Sequence, residues 1–154
     1  PLDIRASFIT LIHKDKTLSF IDKAMTEQKI PITDDNRCHY MMNPGGIVWE
    51  SMNALATAFR QKQQHHIHFI QYDDLVSNPT EVMNHLHAFL ELDPFQYDFD
   101  NVVAKNREKD AEVYGLPTMH EVRKSINKIS RPYQEVLSTD VINKYINYDF
   151  WNQQ

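Results

Sequence analysis

The chain has 154 residues, 42% hydrophobic and 24% charged, which suffices for one domain with a real core and excludes a disordered or low-complexity segment. Its formal net charge of −5, with no basic run or basic helical face, argues against nucleic acid or an anionic membrane as main partner, so any anion must be met by a local site. The one cysteine, Cys38, permits no intrachain disulfide, and no apolar run approaches the ~20 residues that span a bilayer. With no signal-peptide pattern at Pro1-Leu2-Asp3-Ile4-Arg5, the expectation is a cytoplasmic protein forming a single domain over residues 1–154.

The spacing of Ile4, Phe8, Leu11 and Ile12, with Asp3 placed as N-cap, predicts an opening helix. From His13 to Asn43 the pattern is short and mixed, and suggests small helices in an irregular, lid-like segment. After Asn43-Pro44-Gly45-Gly46, the residues Val48, Met52, Leu55, Ala56 and Phe59 form an apolar stripe on a helix running to about Gln63. Residues 66–72 then read as a short parallel strand, apolar enough on both faces to be buried. Asn78, Pro79 and Glu81 open another helix, whose buried face is Val82, Leu86, Phe89 and Leu90. Two helices flanking a buried strand indicate an α/β class. Beyond Asp93-Pro94 strand character disappears. The region from Ala111 to Tyr133 reads as loop with short helical pieces, and a last helix is predicted from near Ser138 past Tyr145.

Several residues carry potential chemistry. Tyr72 ends the expected strand, where ligands collect in open parallel sheets; it can stack on a base, or be a boundary tyrosine with a wet hydroxyl. Asp73 and Asp74 could bind a metal or transfer protons, but such pairs more often satisfy backbone donors at a turn. Ser7 lies in the first turns of the opening helix, where the helix dipole suits an anion; taken alone, a serine between Ala6 and Phe8 is more often a small helix-packing residue.

Arg123 and Lys124 follow a Gly-Leu-Pro turn, and a guanidinium there can grip a phosphate with two parallel bonds; an exposed basic helix start is the plain alternative. His65 falls on one strand face and His66 and His68 on the other; two histidines two apart can bind a metal, but no Cys, Asp or Glu motif with zinc spacing supplies a third ligand, and His85 and His87 fall on different helix faces. For a general base, His13, His120 and the Asp34-Asp35 pair are all open, none with a motif behind it.

Tyr72-Asp73-Asp74-Leu75-Val76-x-x-Pro79, with the helix end Phe89-Leu90-x-Leu92, resembles the Tyr-Glu-Asp-Leu-x-x-x-Pro…Phe-Leu-Gly-Leu segment of sulfotransferases that use 3′-phosphoadenosine-5′-phosphosulfate (PAPS). Glu91 stands where glycine is usual. Pro1 to Phe8 is similar to the segment in which an arginine and a serine hold the cofactor's 3′-phosphate. Ser7 takes the serine place, with the arginine expected just before Pro1. A second register, with Leu2 and Thr10 in those places, would mean a lost arginine. Thr33 to Cys38, Gly45-Gly46 and Leu116 through Arg123 also resemble a bacterial or phage-type subgroup of these enzymes.

The resemblance implies a partial P-loop-type three-layer α/β sulfotransferase fold, helix-rich in this portion, with the short buried parallel strand at about 66–72. It implies sulfuryl transfer from PAPS to a hydroxyl or amine on a small-molecule or carbohydrate acceptor, without a metal. Ser7 would hold the 3′-phosphate, Tyr72 the adenine, and Arg123 or Lys124 would reach the cofactor from the late loop. The segment from Lys14 to Asn43 would wall the acceptor. No Gly-rich phosphate loop precedes a strand, since Gly45-Gly46 follows Asn43-Pro44, so the chain is expected to be a C-terminal portion, inactive alone. A nucleotide kinase of related fold and a non-catalytic nucleotide-binding or structural module are the rival readings.

Overall fold

The computed structural model describes residues 2–106, 108–128 and 132–147. Among them, α-helices occupy α1 Leu2–Asp15, α2 Phe20–Glu27, α3 Asp34–Met42, α4 Ile47–Arg60, α5 Tyr72–Ser77, α6 Pro79–Phe89, α7 Asp110–Val113 and α8 Thr139–Tyr145. Short 3₁₀ turns lie at Gln64–His66 and Tyr133–Glu135. The chain divides into two compact units. One comprises Pro1–Gln61, Glu108–His120 and Arg131–Gln154, and the other Lys62–Arg107 and Glu121–Ser130. No helix among the described residues is long and apolar enough to cross a membrane.

In the first unit α1 buries Leu2, Arg5, Ala6, Ile9 and Ile12, spaced to share one face. This corrects the expected stripe: Asp3 lies inside the helix rather than capping it, and Ile4 is 69% exposed. Both faces of α1 carry apolar residues, so periodicity alone could not choose between them. Packing chose, because Ile21, Met25, Cys38, Met41, Met42, Val141 and Tyr145 meet Leu2 and Ile9 in one cluster.

The small helices expected between His13 and Asn43 are present as α2 and α3, but as a layer of this core rather than an irregular lid. Ser19 and Asp22 form a capping box at the start of α2, and Thr33 caps α3 by accepting from the Asn36 N–H. Asp22 is fully buried; it accepts from the Ser19 backbone N–H (3.1 Å) and hydroxyl (2.9 Å) and from Arg37 Nε (2.7 Å). The two short helices mask their role in the sequence because methionines, Met25, Met41 and Met42, carry much of the burial.

Gly46 then lets α4 start hard against α3. A side-chain Cβ at this position would run into the carbonyl oxygens of Tyr40 and Met41. The expected helix from Val48 is present as Ile47–Arg60, and the last one as Thr139–Tyr145, capped by the Ser138 hydroxyl.

The second unit corrects the strand. Residues 67–71 have no regular structure, although Ile67 (φ −118°, ψ 120°) and Gln71 (φ −74°, ψ 132°) are extended. A buried strand needs partners on its edges to satisfy its amides and carbonyls. No strand is formed among the described residues, and Phe69 and Ile70 stay 43% and 39% exposed. The adjoining α5 and α6 pack on each other. An aromatic run extends beyond them, with His68 stacked on Phe89 and Tyr97 in contact with Phe95, Phe99 and His87.

Candidate functional site

The four residues singled out for cofactor binding are distributed over both units. Ser7 belongs to the first; Tyr72, Arg123 and Lys124 belong to the second.

Ser7 is exposed, on the side of α1 away from the buried Arg5, because two residues on a helix are separated by about 200°. Its hydroxyl is thus presented outward. Arg5 is 1% exposed, and neither its Nε nor its Nη1 has a hydrogen-bond partner among the described residues. Burial pushes its guanidinium down to about 10, against the favourable influence of Cys38 and Tyr145. It is still a cation in the core at neutral pH. Residue identity does not signal this burial, since an arginine between Ile4 and Ala6 reads as a surface residue.

In the second unit Tyr72 is the first residue of α5 rather than the end of a strand, and is 53% exposed. Asp73, beside it, pairs with Lys128 Nζ at 3.0 Å. That bridge joins α5 to the segment bearing Arg123 and Lys124, both of which are exposed and in irregular backbone rather than on a helix start. The same segment is tied to residues 99–102 by Val102 N–H to Lys124 O (2.7 Å) and Ile126 N–H to Phe99 O (3.1 Å). An exposed phenol ring and two cations therefore occupy one compact unit. Such a set suits a ligand that is aromatic and anionic. An open groove of about 510 Å³ lined by Ser77, Asn78, Pro79, Thr80, Glu81, Asn84 and His85 also lies in this unit, and none of the four candidates lines it.

Of the possible general bases, two now have geometry. His13 Nε2 lies 3.0 Å from Asp34 Oδ1, which also accepts from Arg37 Nη1 (2.6 Å). His120 Nδ1 lies 2.8 Å from Asp110 Oδ1, and the other oxygen of Asp110 accepts from the His120 backbone N–H at 2.7 Å. That backbone bond and then the ring bond hold the Asp110 carboxyl below the usual carboxylate range, while the Asp110 hydrogen bond raises His120 despite the cost of burial. A histidine oriented by a carboxylate is the usual arrangement of a proton acceptor. Asp35 instead accepts from the Ser138 backbone N–H (3.2 Å).

The histidine-rich run has a different layout from the expected alternation. His65 and His66 share a 3₁₀ turn with ring centroids 3.9 Å apart, and His68 stacks on Phe89. Both ring nitrogens of His87 are engaged, with the Asp93 carbonyl and the Tyr97 hydroxyl, each at 2.6 Å. Cys38 is buried as a bystander thiol, and desolvation pushes it up to about 11.

Residues missed from the sequence are Glu108 and Asp110, which approach His120 so that their donor atoms lie within 4.8 Å of one another. The Glu-x-Asp spacing was visible, but its histidine partner follows ten residues later across a turn.

Residues 11–146 match the family model described as the sulfotransferase domain. No curated protein and no solved structure matches the chain.

Proposed function

Since the chain belongs to the sulfotransferase domain family, whose general chemistry is sulfuryl transfer, we propose that it serves transfer from PAPS to a hydroxyl or amine of a small-molecule or carbohydrate acceptor in the cytoplasm. The observation that carries this reading is the match across residues 11–146, which spans both Tyr72 and the Arg123-Lys124 segment. The family implies an α/β domain, to which the described residues contribute the helical part.

The requirements resemble those of phosphoryl transfer: donors placed where charge develops, a base near the acceptor, and exclusion of water. In this reading Ser7 donates its hydroxyl to the 3′-phosphate, and its outward presentation on α1 supports that role. Tyr72 offers its exposed ring to the adenine. Arg123 approaches a cofactor phosphate, with Lys124 as a second cation. His13, held by Asp34, and His120, held by Asp110, remain the two bases with an orienting carboxylate. Sulfuryl transfer requires no metal in this scheme, because the migrating group carries less charge than a phosphoryl group.

Calorimetry with 3′-phosphoadenosine-5′-phosphate tests the assignment. The full-length protein is expected to bind it, with Tyr72→Ala weakening binding by about 1–3 kcal/mol, the range for base stacking on an aromatic ring. Ser7→Ala is expected to weaken it by about 1 kcal/mol, the net worth of one hydrogen bond. Unchanged affinity in both variants would refute these roles.

A further inference from the structure

We propose that Glu108, Asp110 and His120 form a binding site for a divalent transition-metal cation of the zinc, cobalt or manganese class, which fixes the segment Glu108–His120. His120 Nδ1 lies 2.8 Å from Asp110 Oδ1 and 3.4 Å from Glu108 Oε2, and the three donor atoms fall within 4.8 Å of one another. Two donors at about 2.0–2.1 Å from a tetrahedral cation are separated by about 3.3 Å, so only a small turn of the exposed Glu108 side chain completes the set. One imidazole nitrogen and two carboxylate oxygens suit the borderline first-row cations better than calcium or magnesium. With His120 neutral, the donor set carries two negative charges and balances a dication.

The set is pre-positioned. Asp110 is 7% exposed, and its ion pairs among the described residues are with His120 alone, because the neighbouring Lys109 pairs with Glu112 at 3.1 Å. The His120 backbone N–H holds the other Asp110 oxygen at 2.7 Å, an outer bond of the kind that orients metal-binding carboxylates.

The intervening turn is rigid: Gly115 has φ +70°, a Cβ there would lie 2.6 Å from the Leu18 carbonyl oxygen, and Leu116 is fully buried. This turn is docked on the α1–α2 connection by Phe20 N–H to Tyr114 O (3.1 Å) and the Thr17 hydroxyl to Gly115 O. The cation would close the loop at its two ends. Its role is positional, and with the cation on His120 the base left for the transfer chemistry proposed above is His13, held by Asp34.

The test is titration of the metal-free protein with Zn²⁺ by calorimetry and with Co²⁺ by visible absorption. The expected result is one equivalent bound, with Co²⁺ developing the intense bands of a four- or five-coordinate site. Glu108→Gln, an exposed change that leaves the fold intact, should weaken Zn²⁺ by at least about tenfold, the loss already typical of outer partners. His120→Ala should abolish the Co²⁺ bands, while His65→Ala/His66→Ala should retain them. Loss of the bands in the His65/His66 variant, or Zn²⁺ affinity unaltered by Glu108→Gln, would overturn the proposal. So would a spectrum no different from that of aqueous Co²⁺.

Discussion

In the first unit α1, α2, α3 and α8 enclose Ile9, Ile21, Met25 and Cys38 almost completely, and every buried residue among those described belongs to that unit. In the second, α5 and α6 leave Tyr72, Phe89, Leu90 and Leu92 at 38–55% exposed. Both use amphipathic helices, and the stripe of α6 is as regular in sequence as that of α1. The difference shows that an apolar stripe records a capacity to be buried, whereas burial itself requires further elements on the same face. Polar interactions follow the same division: Asp22 has no exposed side-chain surface, while the Asp73–Lys128 pair is 70% and 56% exposed.

The contrast can be broken most severely at Asp22. Asp22→Ala removes the α2 capping box and the carboxylate that meets Arg37 Nε, while Arg37 Nη1 keeps Asp34, so a loss of about 2–4 kcal/mol is expected in urea unfolding. A smaller loss would mean that water reaches this site. Arg5 runs the opposite way. Replacing a buried cation whose Nε and Nη1 find no partner among the described residues by a residue of similar length, Arg5→Met, is expected to stabilise the first unit by about 1–4 kcal/mol, visible as a raised denaturant midpoint. Destabilisation would reveal an anion that partners Arg5.

A pH series sharpens the same boundary. Desolvation and then Lys144 lower His39, whose Nδ1 meets the Tyr145 hydroxyl at 2.8 Å. The unfolded state therefore binds more protons just below the ordinary value of 6.5. Stability from this group is fully present above that pH and falls as pH drops from there through the lowered folded value. His39→Gln should flatten this acid slope, as followed by unfolding at several pH values; an unchanged slope would assign it elsewhere. The smallest effect is expected at Asp73→Ala, about 0–1 kcal/mol and diminishing with salt, since both partners are exposed. A larger loss would show that this bridge anchors the Arg123 segment to α5.

Sequence reading located α4, α6 and α8 closely, because each joins a start signal to a clear apolar stripe: Pro44-Gly45-Gly46, Asn78-Pro79 and Ser138. It suggested small helices between His13 and Asn43, present as α2 and α3, but not their place in the core, and it failed at residues 67–71, whose apolar character matched a strand where none is formed. The family assignment was legible for another reason. Tyr72 through Leu92 carries a run of residue identities that resembles the family's segment, and identity does not depend on which face is buried. Arg5 and the Glu108–Asp110–His120 cluster were not legible, since each is defined by neighbours distant along the chain.

The sequence by itself therefore determined the helices with local start signals, the absence of a disulfide pair and the sulfotransferase family resemblance. All of these reside in residue identity and short-range spacing. Tertiary structure alone decided which face of α1 is core, that residues 20–42 are core rather than lid, and which histidines meet carboxylates. These are outcomes of competition among surfaces for burial and among polar groups for partners, and such competition is resolved only when distant segments are brought into contact.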